Sequence, residues 1–214
     1  YAGPEHAGRI DKPHAVFELV THLHFGDGGL IAHFGDVALQ ERIHLRGNSI
    51  DVICTCVRYG NVLESTGSVI PIFKELIGRG ESLAITDPAM TRFLLSLEEA
   101  VDLIFTSLAD AEGGKIFIPK VPAARMGDLA DALIRATGKK VSKKITGIRP
   151  GEKIHEILIS EEELFRTEER KGCFIVHDIG SMPRKKTPKK EYSSKDAVLP
   201  VRKLEQFLRD HHVI

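Results

Sequence analysis

The chain has 214 residues, 42% hydrophobic and 28% charged, with 30 basic and 30 acidic side chains and a formal net charge of zero. That composition suits one or two globular domains. It carries no net field that would gather nucleic acid or an anionic membrane. No apolar run approaches the ~20 residues of a membrane span, and the polar opening residues show no signal-peptide pattern, so a cytoplasmic protein is expected. Cys54, Cys56 and Cys173 are the only cysteines, read as small buried hydrophobes of a reducing compartment. The first residue is Tyr1 rather than Met, which leads us to expect a fragment, a processed form or a trimmed piece.

Taken in order, Ala15 to Phe25 reads as a strand or short helix, with a turn at Gly26 to Gly29. Ala38 to Leu45 reads as the end of a helix stopped by Gly47-Asn48. Ile50 to Tyr59 (IDVICTCVRY) is rich in β-branched residues and predicts a buried parallel strand. Ser68 to Ile77 predicts a helix with Pro71 in its first turn, where a missing N–H does no harm. Ser82 to Ile85 predicts a short strand. Ser96 and Glu99 form a capping box for the next helix, whose apolar face is expected to be Ala100, Val101, Ile104, Phe105 and Leu108. Further strands are expected at Lys115 to Ile118, Val141 to Thr146 and Gly172 to His177, and helices at Met126 to Thr137 (stopped by Gly138), Glu152 to Leu158 and Val201 to His211. Residues 181–194, polar and basic, are expected to form a mobile loop. The alternation of strands and helices predicts an α/β fold.

Two segments carry chemistry: VRYGNVLESTGSVIPIFKELIGRGESLAITDPAMTRF at residues 57–93, and GIRPGEKIHE at residues 147–156. Arg92 follows a short strand and a turn, and a guanidinium can fork two hydrogen bonds to phosphate oxygens. Arg149 lies in a Pro-Gly turn, Glu152 can accept from a sugar hydroxyl, and Asn61 directly follows the predicted strand. Val69-Ile70-Pro71 could wall a base while helix N–H groups face a diphosphate. Lys153, His155 and Glu156 read as a solvated helix face.

VRYGNV, GSVIP, ITDPAMTRF, SLEEAVDLI, GGKIFIPK, GIRPGEKIHE and the tail EYSSKDAVLPVRKLEQFL resemble, in order and spacing, the polysaccharide-biosynthesis (CapD-like) branch of the extended short-chain dehydrogenase/reductase superfamily. That branch holds the UDP-N-acetylglucosamine 4,6-dehydratases and related capsular and flagellin-glycan enzymes, and the resemblance covers about residues 38–210. The resemblance implies the C-terminal part of a Rossmann-like fold with a smaller α/β substrate-binding domain. Residues 1–61 would be a remnant of the cofactor domain, and residues 62–214 the nucleotide-sugar-binding domain with its tail. It implies a UDP-sugar held by Asn61, Val69, Arg92, Arg149 and Glu152, NADP passing Tyr59 and Asn61, and a homo-oligomer. In the implied reaction hydride leaves C4, water is lost across C5 and C6, and hydride returns to C6, with 5-epimerase activity as a variant.

The Gly-rich cofactor loop of that family is not found: a G-x-G-x-x-G pattern from Gly26 would need glycine where Ile31 stands. The family's Tyr/Met and Lys positions fall on His33 and Val37. Asp11-Lys12 resembles the family's upstream Asp-Lys pair, the candidate for proton transfer during water loss; the alternative is a charged turn. His22, His24 and His33 lack a carboxylate or cysteine partner at a metal-binding spacing. The basic run Arg184 to Lys190 lacks the interleaved aromatics of a nucleic-acid surface. Two functions therefore compete: a nucleotide-sugar dehydratase, or a non-catalytic UDP-sugar-binding remnant that pairs with an intact homologue.

Overall fold

The computed structural model describes residues 52–65, 67–110, 114–179 and 187–214, with the backbone alone at 14–19 and 52–54. The expectations for Asp11, Lys12, His22, His24, His33, the glycine cluster after Phe25 and Ala38 to Leu45 lie outside these residues.

A five-stranded sheet forms the base. Strand β1 (His14–Leu19) pairs in parallel with β2 (Val52–Val57), Cys54 opposite Val16. After the crossing described below, β6 (Ile116–Pro119) joins β2 in parallel, with Cys56 opposite Ile116. The parallel strand expected at Ile50 to Tyr59 is thus present. Antiparallel β11 (Cys173–Val176) and β10 (Thr167–Glu169) complete the sheet in the order β1-β2-β6-β11-β10. Parallel pairing between β2 and β6 demands a long crossover, and that crossover carries most of the motif residues.

It opens with β3 (Asn61–Val62) and helix α1 (Val69–Arg79), which Gly80 ends in the left-handed conformation, with the Gly80 N–H on the carbonyl of Ile77 and the Glu81 N–H on that of Leu76. Next come β4 (Leu83–Ile85), β5 (Thr91–Leu95) and α2 (Leu97–Ala109). The capping box is formed: Ser96 Oγ accepts from Glu99 N–H at 3.1 Å, and Glu99 Oε2 accepts from Ser96 N–H at 2.8 Å. The expected apolar face of α2 is corrected. The helix turns Ala100, Leu103 and Ser107 onto the sheet, with Ile104 beside them, and leaves Phe105 64% and Val101 38% exposed. Ser107 sits at 0% exposure because its hydroxyl donates back to the carbonyl of Ile104 at 2.8 Å, so a polar residue occupies a core position at no cost in hydrogen bonds.

Beyond the sheet lie β7 (Ala123–Arg125), α3 (Met126–Thr137) with its stop at Gly138, β8 (Lys143–Ile145), β9 (Ile157–Ile159), β12 (Tyr192–Ser193) and α4 (Val201–Asp210). Strands β3, β5 and β7 form a second small sheet; β4 pairs with β8 and β9 with β12. The helix expected over Glu152 to Leu158 is not formed. That segment runs extended into β9, held by long-range bonds such as Thr91 N–H to the carbonyl of Ile154 at 2.9 Å. The mobile loop expected over 181–194 is also corrected where it is described: Ser193 and Ser194 are buried at 1% and 0% exposure.

Two hydrophobic cores result. One fills the space between the five-stranded sheet, α2 and β9, around Phe93, Phe117 and Ile175. The other packs α1, α3 and α4 together around Ile77, Leu129 and Leu204. Strand β5 divides them, sending Phe93 and Leu95 to the first and Leu94 to the second, which is why all five of its residues are buried.

Candidate functional site

The strand alternation that makes β5 a wall also delivers Thr91 and Arg92 to its leading end. Three segments meet there. Strand β2 leads through Tyr59 and Gly60 into β3, where Asn61 lies opposite Leu94 of β5 and is half-buried. The turn 86–90 is fixed by Asp87 Oδ1 accepting from Ala89 N–H at 2.7 Å. Behind it packs Gly127, where an added Cβ would stand 3.0 Å from Pro88 Cβ. Residues 149–156 form the third segment. Glu152 Oε2 accepts from the backbone N–H of Arg149 at 3.0 Å, and its Oε1 accepts from Thr86 Oγ1 at 3.3 Å.

Arg92 is 7% exposed. Its Nη1 donates to the carbonyls of Thr91 at 2.8 Å and Ile154 at 3.3 Å, and its Nη2 donates to Met90 Sδ at 2.8 Å. Its Nε lies 3.7 Å from Glu156 Oε1. Of its five N–H groups, the one on Nε and one on Nη2 have no acceptor at hydrogen-bond distance among the described residues. Burial pulls the guanidinium below its ordinary range, and the charges of Glu156 and Glu152 pull it back.

Glu156 is the residue that sequence reasoning missed. It was expected on a solvated helix face, yet its Oε2 accepts from Phe93 N–H at 2.9 Å. Burial drives its carboxyl above the usual range, against the opposing pull of Arg92, the Phe93 N–H and Lys153. Its oxygen also explains Gly60: an added Cβ there would meet Phe93 Cβ at 2.7 Å and Glu156 Oε2 at 3.2 Å. His155 is likewise engaged, its Nδ1 at 2.8 Å from Thr91 Oγ1. From the tail, Ser194 Oγ reaches Thr91 Oγ1 at 2.6 Å and accepts from Glu156 N–H at 2.9 Å. Tyr192 OH both donates to and accepts from the backbone of Val121, each at 2.9 Å. Burial pushes that phenol up to about 12.

Motifs separated by tens of residues have converged in this corner in the expected order. The polysaccharide biosynthesis protein family matches residues 33–178. The chain belongs to that family. It is a member of the extended short-chain dehydrogenase/reductase superfamily. It is 47% identical over 120 residues to a UDP-N-acetylglucosamine 4,6-dehydratase (inverting) of Campylobacter jejuni, covering 56% of this chain and 35% of that one. It is 39% identical over 144 residues to a UDP-glucose 4-epimerase of Rickettsia typhi, covering 65% and 42%. Its fold superposes on the X-ray structure of Pen from Bacillus thuringiensis with a TM-score of 0.79 and 26% identity, over 94% of this chain and 63% of that one. The chain spans between a third and a half of the length of the curated relatives it matches.

Of the residues that the family resemblance pointed to, Arg92 lies at the leading end of β5, and Asn61, Arg149 and Glu152 fall on the segments that converge there. Val69 opens helix α1 instead, packed against the second core. Tyr59 is 3% exposed and its phenol is raised by burial, whereas Asn61 is half-buried. No group of three metal-binding side chains occurs among the described residues, and none of their helices is long and apolar enough to cross a membrane.

Proposed function

We propose that the chain carries the UDP-sugar-binding part of a nucleotide-sugar 4,6-dehydratase that acts on UDP-N-acetylglucosamine in surface-polysaccharide biosynthesis, in a homo-oligomer. The observation that carries this reading is the meeting of β5, the 86–90 turn and the 149–156 segment around Arg92 and Glu152. A diphosphate needs directed N–H donors, and Arg92 and Arg149 supply them. Glu152, fixed by two hydrogen bonds, is suited to accept from a ribose hydroxyl. Asn61 faces the sugar and Val69 walls the base. NADP, when bound, supplies the hydride acceptor for such a reaction; the part of these residues is to hold and orient the sugar nucleotide. Asp11 and Lys12 remain the proposed proton-transfer pair.

A second reading, a non-catalytic UDP-sugar-binding remnant or partner subunit, draws on the burial of Tyr59, which removes one proposed cofactor contact from reach. Titrating the purified chain with UDP-N-acetylglucosamine, UDP-glucose and NADPH separates the two. The first reading expects UDP-N-acetylglucosamine binding, NADPH binding and a 4-keto product. Sugar-nucleotide binding with neither cofactor binding nor turnover selects the remnant, and preference for UDP-glucose moves the substrate toward that of the epimerases. Absence of any UDP-sugar binding overturns both.

A further inference from the structure

We infer that Glu156 is a specificity-determining residue: a partly buried counter-ion that cancels the field of Arg92, so that the proposed diphosphate site is not occupied by whatever small anion is at hand. This rests on reading the cleft as a nucleoside-diphosphate site.

The geometry separates this role from that of merely aiming the arginine. The direction of Arg92 is already set by two carbonyls and a sulfur, at 2.8, 3.3 and 2.8 Å. Glu156 stands 3.7 Å from Nε, within ion-pair range but beyond a hydrogen bond. It therefore contributes charge more than direction. Its own position is fixed independently. One oxygen is anchored on Phe93 N–H, and its main chain exchanges bonds with Ser194 at 2.9 and 2.8 Å. The strand end at Gly60 closes the space behind it. A carboxylate is costly to bury, and hydrogen bonding alone does not call for one here, because a neutral amide oxygen would satisfy Phe93 equally well.

The charge count shows what it does. The charges felt within the pair are Glu152 acting on Arg92 and Lys153 acting on Glu156, so two positive and two negative groups balance. Without Glu156 one positive charge is left over, in a partly dry corner where fields act strongly. Such a cleft would fill with free phosphate or pyrophosphate. With Glu156 present, an anion gains little from the field and must be carried in by the base, ribose and sugar attached to it.

The test measures binding of inorganic pyrophosphate, UDP and uridine to the full chain by calorimetry, for wild type, Glu156→Gln, Glu156→Leu and Glu156→Asp. Both neutral variants are expected to bind pyrophosphate about tenfold more tightly. Uridine is expected to be unaffected and Glu156→Asp to stay near wild type. The gain should shrink as salt is raised, a signature that a packing defect does not give. Two neutral variants of different shape guard against one failing to fold. Unchanged or weaker pyrophosphate binding in the neutral variants overturns the inference, as does an equal change for uridine. Wild type binding UDP no better than pyrophosphate would instead sink the nucleotide reading, while the pyrophosphate arm still decides the role of Glu156.

Discussion

Two partly buried glutamates flank β9, and their carboxyl groups are shifted in opposite directions. Glu163 lies just after the strand, where burial raises it but Arg58, the Ser160 N–H and Arg166 outweigh burial and hold it below the ordinary range. Arg58 Nη1 is 2.9 Å away and Nη2 3.1 Å away, a two-pronged clasp that ties the end of β2 to the 3-10 turn Glu161–Arg166. Glu156 lies just before the strand with a similar set of opposing groups, but its arginine is 3.7 Å off and burial wins. A closed, bidentate pair belongs to the frame. A loose pair, whose arginine keeps a free N–H, belongs to a site that has something else to bind. Distance and donor geometry distinguish the two.

Breaking the clasp should produce the largest effect. Glu163→Ala removes the two-pronged carboxylate from an Arg58 side chain that is 12% exposed, and losing one partner of such a pair costs up to about 3–5 kcal/mol, to be read from urea unfolding. A depressed carboxyl contributes stability that is complete above its unfolded value and vanishes as pH falls through the lower folded value. Glu163 therefore supplies part of the acid sensitivity of the fold, and Glu163→Gln should flatten the fall in stability below about pH 4. An unchanged acid limb would show that the clasp is not formed.

Arg92→Met should cost less, about 2 kcal/mol at neutral pH, because its ion pair is the longer one and Glu156 keeps its hydrogen bond from Phe93 N–H. Its raised folded value gives the opposite sign to Glu163: stability is lost as pH rises through the window above the ordinary carboxylate range. The cost of Arg92→Met should accordingly shrink between pH 7 and pH 5. A pH-independent cost would mean that Glu156 is ionised regardless of its partner, and that the contrast between the two glutamates fails.

Ser194→Ala tests whether the tail belongs to the site or only to the frame. It deletes the hydroxyl that joins Thr91 to the backbone of Glu156, at a cost of about 1 kcal/mol in thermal unfolding. Weaker UDP binding in the same variant would place the tail in the site.

Much of this frame was legible because its signals are local. The Ser96–Glu99 box and the glycine stops at Gly80 and Gly138 need only neighbours in sequence to act. What escaped depends on partners far along the chain. β5 has no two-residue periodicity because both its faces are buried, so its apolar run reads as neither edge nor helix. The face of α2 was misassigned because Ser107 hides its polarity inside the helix while Phe105 points outward. Glu156 looked like a helix surface because the bonds that hold it extended come from Phe93 and Ser194, 63 and 38 residues away. Arg92, Arg149 and Glu152 were legible as a motif, but their unequal burial was not.

That inequality supports the smallest prediction for stability. Arg149 is exposed and is held through its backbone N–H to Glu152, not through its guanidinium. Arg149→Ala should therefore change unfolding by no more than about 0.5 kcal/mol. If its side chain closes on a diphosphate, the same variant should weaken UDP binding about tenfold and leave uridine binding intact. Arg92→Met alters both stability and binding, so its binding loss alone cannot separate a ligand from a strut. Arg149→Ala removes a guanidinium that supports nothing else. Equal UDP affinity in that variant would confine the proposed diphosphate contacts to the buried side of the cleft, leaving Arg92 and the helix N–H groups to carry them.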